Sequence, residues 1–101
     1  MTKFQTGVLT GDLVQEVFKD AKENLYALPA VNVTNSSTVN AVLEAAAEVN
    51  SPVIIQFSAG GCQFFAGKSL NNDDQKAAIA GGVSGAMHVH QMAKNYNTSV
   101  I

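Results

Sequence analysis

Ser51-Pro52-Val53-Ile54-Ile55-Gln56-Phe57-Ser58-Ala59-Gly60-Gly61 is the stretch whose reading decides the fold. Ser51-Pro52 breaks whatever precedes it. Val53 to Phe57 is then a largely apolar, β-branched run, which fits a strand covered on both faces, as in a parallel sheet. Ser58 to Gly61 closes the run. Working outward, residues 37–49 carry Val39, Val42, Leu43, Ala46 and Ala47 at helical spacing, with Glu44 and Glu48 on the opposite face. The polar turn Thr34 to Ser37 precedes that helix, and residues 26–33 predict a short strand. Pro29 lacks a ladder donor and belongs at that strand's start or edge.

Residues 10–23 predict an amphipathic helix, with Leu13, Val14, Val17, Phe18 and Ala21 on one face. Thr10 is placed to cap it, and Asp12 lies in the first turn, where negative charge is favoured. Downstream, residues 62–75 are mixed: a short apolar piece around Phe64-Phe65, then a polar loop from Ser69 to Gln75. A third helix covers about 75–96, and Ser99-Val100-Ile101 opens another buried strand. The order helix, strand, helix, strand, helix, strand predicts βαβ units with parallel strands. Doubly wound sheets and eight-fold barrels both begin this way. A final strand cut this short leaves an unfinished edge, which predicts a longer parent chain.

The chain has 101 residues, 47% hydrophobic and 14% charged, which suits a buried globular segment and not a disordered one. Its net charge is -2, and its six basic residues are all lysines scattered among eight acids. No basic stripe is present to follow a phosphate backbone, so nucleic acid is excluded as an expected partner. With no arginine, a bidentate clamp on a small phosphate would have to come from elsewhere. Cys62 is the single cysteine, so no internal disulfide forms. No apolar run reaches ~20 residues, so no membrane span is expected. The opening Met-Thr-Lys-Phe-Gln-Thr-Gly has no apolar core of a secretory signal, and a cytoplasmic protein is the expectation.

In parallel α/β folds, ligands meet the C-terminal ends of the strands. Ser58-Ala59-Gly60-Gly61 lies at such an end, with a hydroxyl that donates and accepts and glycines that admit an anion to backbone N–H groups. The same residues also suit a plain tight turn from strand to helix. Asn32 stands at the preceding strand end, placed either to contact a ligand or to satisfy a neighbouring loop. Ala66-Gly67-Lys68-Ser69 is not a nucleotide-binding P-loop, because Cys62 stands where the first glycine would be. His88-Val89-His90 resembles a metal motif, but residues two apart on a helix diverge and cannot share one ion. One histidine is expected to pack at the barrel side and the other to face solvent. No nucleophile–base pair, carboxylate dyad or zinc constellation can be assembled, so neither a catalytic nor a metal-ligating residue is assigned.

Longer words go further. Thr10-Gly11-Asp12-Leu13-Val14, Ala21-Lys22-Glu23-Asn24 and Ala27-Leu28-Pro29-Ala30-Val31-Asn32 resemble the opening of class II fructose-bisphosphate aldolases. So do Ser51 to Ser58, Phe65-Ala66-Gly67-Lys68 and His88-Val89-His90-Gln91-Met92-Ala93, in family order over essentially the whole chain. The resemblance is closest to the longer, typically dimeric subgroup, which implies a homodimer for a full-length chain. It implies an α/β fold: the N-terminal portion of a (β/α)8 TIM barrel, with residues 10–23 as an extra helix before the first strand. Residues 1–101 would then be part of a single barrel domain, which needs ~250 residues.

The activity implied is reversible cleavage of fructose 1,6-bisphosphate to dihydroxyacetone phosphate and glyceraldehyde 3-phosphate. In the family a Zn2+ ion polarises the ketone and no lysine Schiff base forms. The family's zinc ligands and catalytic aspartate match nothing in this segment, which alone is expected to be inactive. Two positions do match: Ser58 with the substrate-binding serine of the second strand, and Asn32 with the asparagine of the first. Where the family commonly has Ser-Asn-Gly-Gly, Ala59 replaces the asparagine. A tagatose-bisphosphate or related ketose-bisphosphate aldolase is the alternative within the enzyme class, and a non-catalytic α/β binding module the alternative outside it.

Overall fold

Four short parallel strands lie side by side under four helices in a computed structural model that describes residues 3–101. Met1 and Thr2, part of the opening read above for a secretory signal, lie outside the described residues. In chain order the elements are β1 (Gly7–Val8), α1 (Asp12–Glu23), β2 (Ala30–Asn32), α2 (Ser36–Glu48), β3 (Ile54–Gln56), α3 (Ala59–Ala66), a 3-10 turn (Asp73–Gln75), α4 (Lys76–Asn95) and β4 (Ser99–Val100).

β2 pairs with β3 in parallel, Ala30 opposite Ile54 and Asn32 opposite Gln56. β3 joins β4 through a parallel bridge between Val53 and Val100. The bridge is extended where Val53 N–H donates to Ser99 O (3.1 Å) and Ile55 N–H to Ile101 O (2.9 Å). β1 pairs in parallel with the other side of β4. The strands of the predicted βαβ units therefore lie in sequence order, the order with which a barrel begins. Pro29 sits just before β2, where its carbonyl accepts from Ile54 N–H (2.9 Å), so its missing donor costs nothing.

Val33, Val39, Leu43, Ala46, Val53, Val89, Ala93 and Val100 form the buried core between the sheet and helices α2 and α4. The stripe read on residues 37–49 is this core face, with Val42 and Ala47 only half-buried at its margin. On α1, Val17 and Ala21 are buried as the spacing predicts, but Phe18 is 41% exposed. On α4, Val89 and Ala93 are buried, whereas Val83 and Met87 stay exposed along one flank.

Two local expectations are corrected, at Thr10 and at residues 59–66, and the polar turn before α2 supplies that helix with its cap. Thr10 does not cap α1: Gly11 holds the N-cap position at φ 57°, and no side chain caps the helix. The chain enters the helix one residue later than the polar-residue rule suggests, and the Thr10 carbonyl, not its hydroxyl, accepts Leu13 N–H (3.2 Å). The α2 helix is capped by Asn35, whose Oδ1 accepts Thr38 N–H (2.8 Å). Residues 59–66, read as a turn and a mixed segment, form the helix α3.

Candidate functional site

Asn32 and Ser58 end up together at the C-terminal edge of the sheet because β2 and β3 are parallel neighbours in register. Ser58 N–H donates to Asn32 Oδ1 at 2.8 Å, tying the two strand ends. Ser58 is also the N-cap of α3, its Oγ accepting Gly61 N–H at 3.0 Å. Both residues are exposed.

These bonds decide what each group has left to offer. Asn32 has committed its carbonyl oxygen, so its Nδ2 amino group is the end available to a ligand. Ser58 Oγ has accepted one bond and keeps its O–H proton to donate. The first-turn N–H groups of Ala59 and Gly60 have no partner within the helix, by helix geometry. Hydrogen-bond donors thus dominate this edge, which suits an anionic or oxygen-rich ligand.

Gly61 is required here. A Cβ on it would lie 2.9 Å from Val33 O and 3.2 Å from Ser58 Oγ, so only glycine lets α3 start against the end of β2. Behind it, Phe57 packs edge-on to Phe65 of α3, with ring centroids 6.0 Å apart. Neither contact has a sequence signal of its own, since a Gly-Gly pair resembles a turn as readily as the first turn of a helix.

His88 and His90 do not converge. His88 is half-buried, with Nε2 2.9 Å from Asn40 Oδ1 on α2, while His90 is exposed. The solvent-facing histidine is therefore His90, and the packed one reaches sideways to a neighbouring helix. Among the described residues, no group of three His, Cys, Asp or Glu side chains could hold a metal ion. No helix among them is long and apolar enough to cross a membrane. Glu44, read as a solvated face, accepts a bond from Tyr96 OH at 3.1 Å, which pushes the phenol above its ordinary range.

Fold and site define a parallel α/β protein with two exposed polar side chains, Asn32 and Ser58, at the C-terminal ends of adjacent strands. The family model described as "Fructose-bisphosphate aldolase class-II" matches residues 12–101. The chain belongs to that family. It is 59% identical over 96 residues to "Fructose-bisphosphate aldolase class 2" of Escherichia coli (strain K12), covering 94% of this chain and 27% of that protein. It is 56% identical over 95 residues to "Fructose-bisphosphate aldolase" of Edwardsiella ictaluri (strain 93-146), covering 94% of this chain and 26% of that protein. Its fold superposes on the crystal structure of fructose-bisphosphate aldolase from Campylobacter jejuni with a TM-score of 0.88 at 49% identity, covering 96% of this chain and 27% of that one. The chain thus spans about a quarter of the length of the curated relatives it matches.

Proposed function

We propose that these residues form the N-terminal part of a single aldolase barrel domain that reversibly cleaves fructose 1,6-bisphosphate, with Ser58 and Asn32 binding the sugar phosphate. The observation that carries this reading is the Asn32–Ser58 pair, joined at 2.8 Å across neighbouring strand ends in a chain of this family. Their remaining hydrogen-bond capacity is donor capacity, directed at an oxygen-rich substrate. The relatives' names support fructose over tagatose bisphosphate and over a non-catalytic module. Both flanks of the segment suit further βα units. Val31, Val42 and Val49 line an apolar groove beside β2, and Val83 and Met87 line one beside β1.

The family resemblance makes the reaction zinc-assisted, the metal supplying Lewis-acid polarisation of the ketone. The described residues do not fit such a site: the two histidines diverge and no three ligands converge. What these residues contribute is binding and orientation, with metal ligands supplied from further chain. A homodimer and a cytoplasmic location accompany the reading.

The test couples triose phosphate formation to NADH oxidation. The 101 residues alone are expected to give no turnover, and a protein of the relatives' length carrying them is expected to cleave fructose 1,6-bisphosphate. In that protein Ser58→Ala raises KM more than it lowers kcat, because it removes a binding group. Turnover by the short chain, or an unchanged KM in Ser58→Ala, refutes the reading.

A further inference from the structure

Gly85 lies on α4, 27 positions after Ser58 in the chain, yet it governs the residue immediately before that serine. A Cβ at Gly85 would stand 2.4 Å from Phe57 Cε1 and 2.6 Å from Cζ. Ordinary contact begins at 3.4 Å, so an alanine there would drive the ring away by about 1 Å. The ring is not free to swing, since it packs edge-on against Phe65 of α3 and is half-buried against the core. Phe57 is covalently joined to Ser58, and Phe65 belongs to the helix that Ser58 caps. A displaced ring therefore moves the serine from both directions. On the reading of Ser58 as a substrate contact, we infer that Gly85 is a positioning residue: its missing side chain seats Phe57, and Phe57 sets where the Ser58 hydroxyl and the first turn of α3 meet the sugar phosphate.

Compensation between Gly85 and Phe57 is expected. In a protein of the relatives' length, Gly85→Ala should raise KM for fructose 1,6-bisphosphate by up to roughly 100-fold, the scale of loss a 1 Å misplacement can cause. Adding Phe57→Leu, which withdraws the ring atoms nearest the new methyl, should recover most of that loss. Ser84→Ala, at the exposed neighbouring position on α4, is the control and should leave KM within about twofold. The same set is followed in the 15N-labelled protein, where the Ser58 and Gly61 amide resonances should shift when Gly85→Ala is made in the wild type and shift much less when it is made in Phe57→Leu. Unmoved amides, a KM as in wild type, or a loss that Phe57→Leu does not repair would overturn the inference. If Gly85→Ala fails to fold, the KM of Phe57→Leu alone decides: it should rise severalfold, and a wild-type value would overturn the inference. Ser58→Ala separates the two levels: an unchanged KM there removes the substrate role and this inference together, while a raised KM beside an innocent Gly85→Ala removes only this inference.

Discussion

Gly81→Ala should destabilise the protein by roughly 2 kcal/mol, although alanine is the better helix former. The site is where α4 packs against the backbone of α3. A Cβ on Gly81 would lie 1.8 Å from the Cys62 carbonyl oxygen, 2.8 Å from its carbon and 2.9 Å from Ala66 N. All three are backbone atoms, so no rotamer change relieves the overlap. To reach the 3.4 Å where ordinary contact begins, α3 must move away by about 1.6 Å. Overpacking of a filled interior costs about 1–3 kcal/mol, and two rigid backbones in collision belong at the upper end. Replacing glycine by alanine inside a helix returns about 0.8–1 kcal/mol. The difference is a net loss near 2 kcal/mol, a large share of the 5–15 kcal/mol that typically holds a domain together. Urea denaturation measures it: with a slope of about 1–3 kcal/mol/M, the midpoint should fall by roughly 1 M. Gly60→Ala is the internal comparison, because nothing lies within 4 Å of a Cβ added there. It should leave stability unchanged or slightly improved. A Gly81→Ala protein as stable as wild type would show that the α3–α4 approach yields at little cost, and the steric reasoning would be wrong.

Asn35→Ala removes the cap on α2 and should cost about 1 kcal/mol in thermal unfolding, while Asn35→Asp keeps an acceptor for Thr38 N–H and should lose little. Asn32→Ala deprives Ser58 N–H of its 2.8 Å acceptor, so the Ser58 amide should exchange with solvent faster while the Gly61 amide, held by Ser58 Oγ, changes less. Tyr26 donates to Asp20 at 2.7 Å, and that bond pushes its phenol up to about 12 from the ordinary 10.0. The folded chain then keeps a proton that the unfolded chain has lost, so this contribution is complete below pH 10 and disappears as pH rises towards about 12. Tyr26→Phe should remove that part of the alkaline loss, read as a smaller difference between denaturation midpoints at about pH 8 and about pH 11. An equal difference in both proteins would mean that the bond does not persist in solution. The Asp20 carboxyl is held low by Lys3 and Tyr26, and its contribution runs the opposite way, disappearing as pH falls through the acid range.

The periodic elements were legible because burial enforces their pattern. Val39, Leu43 and Ala46 on α2, and Val89 and Ala93 on α4, are apolar at helical spacing and buried in the observed core. Val53 to Phe57 reads as a strand, and it lies between β2 and β4, but the expected cover on both faces is incomplete here: Val53 is buried, Ile54, Ile55 and Phe57 are half-buried and Gln56 is exposed. What escaped was governed by contacts between distant parts of the chain. The α3 helix begins with Ala59-Gly60-Gly61, whose two glycines are weak helix formers that tertiary packing overrides, since Gly61 is demanded by the Val33 carbonyl and Gly81 by the Cys62 carbonyl. β1 is only Gly7–Val8, too short for an alternating pattern, and exists because Gly7 N–H and Leu9 N–H find the carbonyls of Thr98 and Val100, both at 2.8 Å. The exposed Val83 and Met87 were equally beyond reach, because spacing says which residues share a helix face and not whether anything covers that face.

Sequence spacing left Asn32 with two roles, a ligand contact or a bond that satisfies a loop. The geometry satisfies the second and leaves the side chain able to serve the first. Its oxygen accepts Ser58 N–H, which leaves the amino end to donate elsewhere. Ser58 repeats the pattern: its oxygen accepts Gly61 N–H and so holds the first turn of α3, while its proton is left to donate. Each residue uses its acceptor to build the fold and keeps its donor capacity for what lies outside. A substitution at either position therefore changes two things at once, and a fall in activity alone cannot assign the role. The separation must come from chemistry that divides the two ends of one side chain. Asn32→Asp keeps an acceptor for Ser58 N–H but replaces the donating amino group with an oxygen that repels an anion. If the strand-end geometry survives in that variant while affinity for the bisphosphate collapses, the donor end is what the substrate meets. If affinity survives as well, Asn32 serves the fold alone.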